Sequence, residues 1–515
     1  MPQSLPASLP HAFLEAAARS PDEPLLEFEG TAYSYADVLD EVRYVAGVLA
    51  SYGLAKGERA ALYLGNSPSF VAAYLGVLWL GGVVVPVNTR YRALELRHML
   101  ADSGARLVVT DEAGGAELEA VLADFSAPPD ALVLSGQPEA DRTAWSNLAP
   151  YQPLFPEPRP LSHADLAVIG YTSGTTGKSK GAVLTHGNFV ANSAAVTSAW
   201  RWTPGDRLLL ALPLFHMHGL GVGLHGTLLQ GSSLILERKF EAEDAFETLL
   251  SGAATMFFGV PTMYARLLEV ARHRQQRPQN LRLLVSGSAP LSAQLHREVE
   301  AVFGMRILER YGMTETVMNL GNPYDGVRKP GTVGVPFPGV ALKIADPATG
   351  AEVPRGEVGE LQLRGPNVMT GYWRDPEATA LAFTPDGFFR TGDLGFRDAD
   401  GYTTLTGRAK ELIISGGFNV YPREVEEVVA EVPGVREVAV LGLPDPDLGE
   451  RVIAVVVGDT EPEAILKHCQ AKIAGFKKPR MVYFVEELPR NAMGKVQKHL
   501  LLERLQGAQG RSSEM

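Results

Sequence analysis

Apolar, β-rich segments alternate with helical segments through most of this 515-residue chain, and this order constrains the fold more than any other feature. Residues 61–65 precede a helical run that ends before a valine-rich segment at 83–87, and a helix over 93–102 precedes a strand at 107–110. Further apolar runs occur at 207–214, 232–236, 255–260 and 281–285. Strands that alternate with helices in this way usually form buried parallel sheets flanked by helices. We therefore predict an α/β fold whose sheets are mostly parallel.

Residues 70–87 form an 18-residue stretch without a charged side chain, which is the lower limit for a transmembrane helix. Gly81 and Gly82 divide this stretch into a helix-length piece at 70–80 and a β-branched piece at 83–87. A buried helix followed by a buried strand fits this division better than a membrane span. We therefore predict no transmembrane segment here.

The length of the chain, and a change in its composition and predicted secondary structure, predict more than one domain. A single hydrophobic core stops growing at about 250–300 residues. From about residue 330 glycine and proline become frequent and short alternating strands appear, whereas residues 408–515 have the size of a small α+β domain. We predict an N-terminal domain over 1–407, with a β-rich subdomain at about 330–407, and a C-terminal domain over 408–515.

Charge and cysteine content exclude several classes of protein. The chain has 47 Lys and Arg against 59 Asp and Glu, a net charge of −12, and nucleic-acid binding needs clustered basic residues instead. The single cysteine, Cys469, cannot form an internal disulfide framework or a cysteine-rich metal site. The first residues lack the basic and apolar regions of a secretory signal, so we expect a cytoplasmic protein.

The segment 171–181, YTSGTTGKSKG, is the strongest candidate for a binding loop. It follows an apolar strand and contains three glycines, two lysines and five Ser or Thr hydroxyls. Glycines allow a ligand to approach the backbone, and amides, hydroxyls and ammonium groups suit oxyanions. A polar surface loop is the alternative, but this composition favours phosphate binding. The loop is not a Walker A motif, because Thr172 stands where that motif requires glycine.

Five motifs in a fixed order resemble those of the acyl-adenylate-forming enzymes, which include acyl-CoA synthetases, adenylation domains and firefly luciferase. The first is the loop above, continued as YTSGTTGKSKGAVLTH. The others are RYGMTET at 310–316, TGD at 391–393, GRAKELII at 407–414 and PRNAMGK at 489–495. Each motif alone is moderately specific, but their joint order over 171–495 is hard to obtain by chance.

The resemblance implies an acyl-CoA synthetase-like fold with a mobile C-terminal domain, and an ATP-dependent reaction. A carboxylate is already nucleophilic at neutral pH, since its pKa is about 4, so it needs no general base. Its attack on the α-phosphorus of ATP gives an acyl-AMP and pyrophosphate, and the thiol of CoA then displaces AMP. Because an anion approaches a polyanion, the site needs positioned cations and amide donors.

The resemblance also implies roles for individual residues. The residues implied to bind the β- and γ-phosphates are Thr172, Ser173, Gly174, Thr175, Thr176, Gly177, Lys178 and Lys180. Thr314 is implied to contact the α-phosphate, Glu315 to hold Mg²⁺, and Tyr311 to pack on adenine. Asp393 is implied to accept from the ribose hydroxyls with Arg408 nearby, and Lys495 to neutralise charge during adenylation. Taken singly, Asp393 reads as a turn residue and Lys495 as a solvated charge.

The same family hinges its C-terminal domain at the position of Lys410, so that rotation opens a path for CoA. Gly416 and Gly417 are then implied to line the pantetheine channel. Many members of the family have a lysine in this stretch, whereas this chain reads IISGGF.

The segments around 213–220, 258–266, 286–290, 309–319 and 322–326 resemble the malonyl-CoA synthetase branch of the family most closely. A dicarboxylate places a second anion in the pocket. Burying that anion without a partner costs on the order of several kcal/mol. We nominate Arg266 as its cation, because arginine binds carboxylates through two hydrogen bonds. The alternative for Arg266 is an exposed helix position beside Glu269.

The resemblance further places His216 near the reacting carboxylate, with Ser286, Ser288 and Met318 forming the walls of the pocket. The alternative for His216 and His218 is a buried histidine pair without a functional role. We expect a ligase that joins malonate, and in second place methylmalonate, to CoA with ATP and Mg²⁺, as a monomer or homodimer. The alternatives are a short-chain, medium-chain or aryl acyl-CoA synthetase, an adenylation enzyme that loads a carrier protein, and a non-catalytic nucleotide-binding protein.

Overall fold

A computed structural model describes residues 5–134, 156–172, 179–491 and 495–512. The chain divides into two compact units. The first unit comprises Met1–Pro330, Val335–Ala341 and Arg364–Phe389, and the second comprises Gly331–Gly334, Leu342–Leu363 and Arg390–Met515. The β-rich segment is thus divided, and the parts at Leu342–Leu363 and from Arg390 onwards are grouped by their contacts with the C-terminal residues. The domain boundary at residue 407 concerns mobility and stays a prediction.

Strands and helices follow one another in the predicted order. The strands up to residue 336 are β1 (Pro24–Phe28), β2 (Thr31–Ser34), β3 (Arg59–Tyr63), β4 (Val83–Pro86), β5 (Leu107–Asp111), β6 (Asp130–Leu134), β7 (Leu166–Thr172), β8 (Lys180–Thr185), β9 (Arg207–Leu210), β10 (Ser233–Leu236), β11 (Met256–Gly259), β12 (Leu283–Ser286), β13 (Leu308–Tyr311), β14 (Leu320–Gly321) and β15 (Val335–Pro336). The later strands are β16 (Ala341–Ala345), β17 (Gly359–Arg364), β18 (Gly371–Tyr372), β19 (Phe389–Arg397), β20 (Thr403–Arg408), β21 (Ile413–Ser415), β22 (Phe418–Val420), β23 (Val435–Asp445), β24 (Gly449–Gly458) and β25 (Met481–Phe484).

The α-helices of the described residues surround these strands. They are α1 (Leu9–Arg19), α2 (Tyr35–Ser51), α3 (Pro68–Trp79), α4 (Ala93–Ser103), α5 (Glu112–Leu122), α6 (His186–Ala199), α7 (His225–Gln230), α8 (Ala242–Leu250), α9 (Pro261–Arg274), α10 (Ala293–Phe303), α11 (Pro376–Ala382), α12 (Pro422–Ala430), α13 (Pro462–Lys472) and α14 (Lys498–Ser512). A π-helix over His218–Leu224 leads into α7, and Ala409–Glu411 form a single 3₁₀ turn.

The first unit contains two sheets with mainly parallel centres. One has the order β15-β14-β13-β12-β11-β9-β10-β1-β2 and is parallel from β13 to β1. The other has the order β18-β8-β7-β4-β3-β5-β6 and is parallel from β7 to β6. Strands β11 and β12 are buried at every position, as their apolar runs predict, and β13 is equally buried although it contains Glu309 and Arg310. Ligands of such sheets bind outside the carboxyl ends of the strands.

The uncharged stretch at 70–87 forms a buried helix and the central strand of the seven-stranded sheet, and not a membrane span. Its first part is helix α3, which is buried from Phe70 to Trp79, and its second part is the fully buried strand β4. Within the described ranges, no helix combines the length and the apolar character needed to cross a membrane. The predicted helix followed by a strand is confirmed.

The second unit is built from antiparallel strands and a small α+β core. One sheet has the order β16-β17-β19-β20, and the other the order β22-β21-β24-β23 with β25 beside β24. Helices α12 and α13 pack their apolar faces on this second sheet, where Val425, Val429, Ile465 and Cys469 are buried. The predicted α/β class, with a β-rich segment and a smaller α+β C-terminal part, is confirmed.

Candidate active site

The candidate phosphate loop connects two antiparallel strands in the first unit. Strands β7 and β8 pair with Thr172 opposite Lys180, which are the first and last residues of the predicted loop set. The loop residues Ser173, Gly174, Thr175, Thr176, Gly177 and Lys178 lie outside the described residues. Their assignment to phosphates stays a prediction.

Packing brings the second motif against the strand that leads into this loop. A Cβ atom at Gly170 would lie 2.6 Å from Thr314 Cγ2, so only glycine allows β7 and Thr314 to approach this closely. Glu315 follows Thr314 and is only 6% exposed. Tyr311 is buried at the carboxyl end of β13, and its contact with adenine stays a prediction.

Tyr372 connects the two motifs, and the sequence did not single it out. Its hydroxyl donates to Glu315 Oε1 over 3.1 Å, and Lys180 Nζ lies 5.4 Å from the centre of its ring. Burial, together with the Glu315 charge, raises the pKa of Tyr372, so the phenol is protonated at neutral pH and can donate. The signal available in the sequence was a glycine–tyrosine pair in a polar segment, which carries no chemistry by itself.

The carboxylate of Glu315 suits the Mg²⁺ that the family resemblance implies. Within the described ranges, no group of three or more His, Cys, Asp or Glu side chains could hold a metal ion. Mg²⁺ is usually bound by one or two carboxylates together with substrate phosphates and water, and not by a full set of protein ligands. A single buried carboxylate beside the phosphate-loop strand fits that pattern.

A second polar cluster, which we call the anion pocket, lies at the carboxyl ends of β12 and β13. It consists of His216, His218, Ser288 and Arg310. His218 Nδ1 lies 3.2 Å from Ser288 Oγ, and Arg310 Nη2 lies 3.5 Å from the same oxygen. Ser288 has a left-handed backbone with φ of +67°, which turns the chain at the end of β12.

The anion pocket has polar atoms without partners. Within the described part of the chain, the buried atoms His216 Nδ1, His218 Nε2 and Arg310 Nε make no hydrogen bond. A buried polar group without a partner costs about 1–3 kcal/mol, and native proteins keep few of them. Several in one pocket indicate a polar ligand.

Arg310 supplies the positive charge of this pocket. It lies on the fully buried strand β13, is 3% exposed, and forms no ion pair with a carboxylate of the described residues. Burial lowers the pKa of Arg310 to about 9, so the guanidinium is still charged at neutral pH. Burial and the nearby Arg310 charge lower the pKa of His216 to about 4 and that of His218 well below its usual range. Both imidazoles are therefore neutral.

The structure places Arg266 differently from the pocket residues named with it. Its side chain is exposed on helix α9, where its charge acts on Glu241. Ser288 joins Arg310 as described above, whereas Ser286 pairs in register with Glu309 and so faces the other side of the sheet from Arg310. Met318 is buried with its carbonyl oxygen bonded to Asn192. The sequence did offer a signal for Arg310, namely a charged residue inside a short strand that is otherwise placed in the core.

In the second unit, three residues from three separate motifs come together. Arg408 Nε lies 3.0 Å from Asp393 Oδ1, across the β19–β20 ladder that pairs the two residues. Burial and the adjacent Arg408 charge lower the pKa of Lys495, while Asp393 and Glu411 act in the opposite direction. Their predicted roles in binding ribose and in catalysis are untested.

The predicted hinge and channel residues lie on exposed turns. Lys410 is exposed in the 3₁₀ turn that follows β20. Gly416 and Gly417 form the exposed turn between β21 and β22, with left-handed φ of +59° and +80° that favours glycine. Their roles in domain rotation and in CoA binding stay predictions.

Comparison with known proteins gives the family. Residues 13–373 match the AMP-binding enzyme family, and residues 424–495 match the AMP-binding enzyme C-terminal domain. Sulfoacetate–CoA ligase from Cupriavidus necator is 38% identical over 501 residues, which cover 94% of this chain and 96% of that enzyme. Malonate–CoA ligase from Arabidopsis thaliana is 34% identical over 548 residues, which cover 96% of this chain and 88% of that enzyme.

A solved structure agrees over the same extent. ATP-bound MatB from Rhodopseudomonas palustris superposes with a TM-score of 0.87 at 41% identity, covering 96% of this chain and 98% of that chain. Together with the family match over most of the sequence, this shows that the chain belongs to the AMP-binding enzyme family and is an ATP-dependent acyl-CoA ligase that acts through an acyl-AMP.

Proposed function

We propose that the chain is a malonate–CoA ligase, which converts malonate, ATP and CoA to malonyl-CoA, AMP and pyrophosphate. The observation that carries this proposal is the buried Arg310, which has no carboxylate partner in the described part of the chain. A guanidinium in such a place is costly, and an anion of the substrate offsets the cost. The resemblance to the malonyl-CoA synthetase branch supports the same acid.

The pocket chemistry favours a short acid with a second negative charge over an apolar one. A fatty acid or an aromatic acid would bring carbon atoms next to Arg310 and the buried polar atoms that make no hydrogen bond. Leaving a buried charge without its partner costs about 3–5 kcal/mol, which corresponds to roughly 100- to 4000-fold in specificity. We therefore assign Arg310, in place of Arg266, to the distal carboxylate of malonate.

The remaining roles follow the family resemblance. Thr172, Lys180 and the loop between them bind the β- and γ-phosphates, Thr314 contacts the α-phosphate, and Glu315 holds Mg²⁺. The metal ion, when bound, neutralises charge on the triphosphate. Lys495 neutralises charge on the reacting carboxylate and α-phosphate, and Asp393 with Arg408 binds the ribose. The reaction consumes small molecules only.

Sulfoacetate is a second candidate acid. The C. necator relative is named a sulfoacetate–CoA ligase and is 38% identical to this chain. A sulfonate carries the same charge as a carboxylate and accepts the same hydrogen bonds from a guanidinium. The anion pocket therefore suits either dianion, and direct comparison of the two is part of the test.

The test is an AMP-release assay with CoA over malonate, methylmalonate, sulfoacetate, butyrate, octanoate and benzoate. We expect malonate to give the highest kcat/KM. Arg310→Ala should lower kcat/KM for malonate by about 100-fold or more and change the value for butyrate much less. Arg266→Ala, on the exposed face of α9, should have a small effect.

Three outcomes would contradict the proposal. Faster turnover of butyrate, octanoate or benzoate than of malonate would make the chain a short-chain, medium-chain or aryl acyl-CoA synthetase. Loss of malonate turnover in Arg266→Ala but not in Arg310→Ala would return the distal carboxylate to Arg266. Pyrophosphate release without transfer to CoA would point to a carrier-protein-loading enzyme.

A further inference from the structure

Glu315 is held by a segment that lies far from it in sequence. The backbone N–H of Met369 donates to Glu315 O over 2.7 Å, and the hydroxyl of Tyr372 donates to Glu315 Oε1 over 3.1 Å. The same short segment therefore fixes both the main chain and the carboxylate of Glu315. A carboxylate that accepts such a hydrogen bond has fewer orientations available than one that is solvated.

Tyr372 is itself firmly placed. It lies on strand β18, where it pairs with Ala182 of strand β8. Its backbone N–H donates to Thr379 Oγ1 over 2.9 Å, and Thr379 Oγ1 in turn donates to Asp375 O over 2.8 Å. The backbone that carries the phenol is therefore held by strand β8 and by the hydrogen bond to Thr379.

The ring of Tyr372 also contacts the strand that leaves the phosphate loop. Lys180 Nζ lies 5.4 Å from the ring centre, a distance at which an ammonium is attracted to the face of an aromatic ring. One side chain thus contacts both a loop lysine and the carboxylate assigned to Mg²⁺. Glu315 lies 135 positions after Lys180 in the chain, and Tyr372 lies further on still. Only the fold therefore brings the three residues together.

We propose that Tyr372 is a positioning residue for the Mg²⁺–triphosphate complex. Its hydroxyl aims the carboxylate of Glu315, and its ring keeps the ammonium of Lys180 beside the phosphate loop. This inference rests on the proposed assignment of Glu315 to Mg²⁺. Tyr372 is not a proton donor in the reaction, because adenylation needs no acid or base.

The test measures ATP binding by calorimetry at a series of Mg²⁺ concentrations, without acid or CoA, so that no turnover occurs. Tyr372→Phe removes only the hydroxyl. We expect it to raise the Mg²⁺ concentration for half-maximal ATP affinity by about 10- to 100-fold, as for the loss of one hydrogen bond to a charged group. Tyr372→Leu, which also removes the ring, should weaken ATP binding even without Mg²⁺.

Two further variants make the result decisive. Tyr35→Phe removes a buried hydroxyl that donates to Ser232 O over 2.8 Å, at a position outside the site. This control should lower the melting temperature without changing the Mg²⁺ requirement. Glu315→Gln should raise the Mg²⁺ requirement at least as much as Tyr372→Phe.

The outcomes separate this inference from the function on which it rests. A wild-type Mg²⁺ requirement in Tyr372→Phe, alongside a raised requirement in Glu315→Gln, would overturn the role of Tyr372 and leave the metal assignment in place. A wild-type requirement in both variants would overturn the assignment of Glu315. A raised requirement in Tyr35→Phe as well would show a general effect of lost stability and would also overturn the proposal.

Discussion

At the scale of single residues, the loop after Thr314 contains a strained valine. Val317 is fully buried and has a φ of +54°, a left-handed conformation that β-branched residues rarely adopt. Asn367 Nδ2 donates to the carbonyl oxygens on both sides of it, to Thr316 O over 2.7 Å and to Met318 O over 3.1 Å. We infer that Asn367 holds the turn that directs Glu315 and Met318.

Removing this clamp should therefore disturb the site. We expect Asn367→Ala to lower the free energy of unfolding by about 1–3 kcal/mol, since the buried carbonyl of Thr316 loses its donor while that of Met318 keeps only its bond from Asn192. We also expect it to lower kcat as the turn relaxes. Thermal unfolding and steady-state kinetics measure the two effects. Adding Val317→Gly, which tolerates positive φ, should restore part of the kcat. No gain in the double variant would argue against strain at Val317.

The residue scale also shows where sequence reasoning reached its limit. The motif fixed Thr314 and Glu315 as candidates because the family pattern marks them. The nomination of Arg266 relied on a segment resemblance, and a segment does not say which way a helix side chain points. Burial separates the two arginines, since one is 3% exposed on a core strand and the other lies on a helix surface. That difference comes from tertiary packing.

At the scale of elements, helix α4 braces the phosphate-loop hairpin from outside. His98 Nε2 donates to Ser179 O over 2.8 Å, and the hydroxyl of Tyr171 donates to Asp102 Oδ2 over 2.6 Å. Because the carbonyl can only accept, the proton of His98 sits on Nε2. Both strands of the hairpin are thus attached to one helix. The sequence predicted this helix over 93–102, but not its contact with the loop, because its polar residues look like a solvated face.

Removing one of these hydrogen bonds should change the KM for ATP more than the KM for the carboxylic acid. We expect His98→Ala to raise the KM for ATP by about three- to tenfold, the value of one lost hydrogen bond, and to leave the KM for malonate unchanged. Varying each substrate separately measures this. His273→Ala on the exposed side of α9 is the control. Equal changes in both KM values would mean a general loss of order and would contradict a specific brace.

At the scale of the whole molecule, the apolar pattern and the long-range contacts carry different parts of the architecture. The order of strands and helices was predictable, since periodic apolar runs determine it, and the buried helix and strand at 70–87 followed from two glycines. The grouping of parts of the β-rich segment with the C-terminal residues was not, because it depends on long-range contacts. Lys495 belongs to the second unit, together with Asp393 and Arg408.

The proposed role of Lys495 predicts a split between the half-reactions. Lys495→Ala should lose acyl-AMP formation by about 100-fold or more, because one positioned cation is missing from a charged transition state. The same variant should still convert supplied malonyl-AMP and CoA to malonyl-CoA. Separate assays of pyrophosphate release and thioester formation measure the two steps. Equal loss in both would speak against domain rotation about Lys410.

Buried histidines of the first unit should make its stability depend on pH. Burial lowers the pKa of His186 to about 4, of His225 to about 3 and of His296 to about 4. Between the ordinary histidine pKa and these values the unfolded chain binds protons that the folded chain does not. The contribution of these histidines to the free energy of unfolding is therefore fully present above the ordinary histidine pKa, and it is lost as the pH falls below that value.

We expect the free energy of unfolding to decrease by on the order of 1 kcal/mol per buried histidine between pH 7 and pH 5. Urea unfolding at both pH values measures the decrease. His296→Leu should make the difference smaller, whereas His273→Leu, at an exposed position, should not change it. An identical pH difference in His296→Leu and in the wild type would contradict this account.

The buried guanidinium on strand β13 has a consequence beyond specificity. A protein that keeps an uncompensated charge in its interior is at its least durable when empty, and it gains stability when an anion arrives. For this ligase, the acid it consumes would also act as its chemical chaperone. The turnover rate of the enzyme and the stability of its folded state would then both depend on the concentration of the dianion.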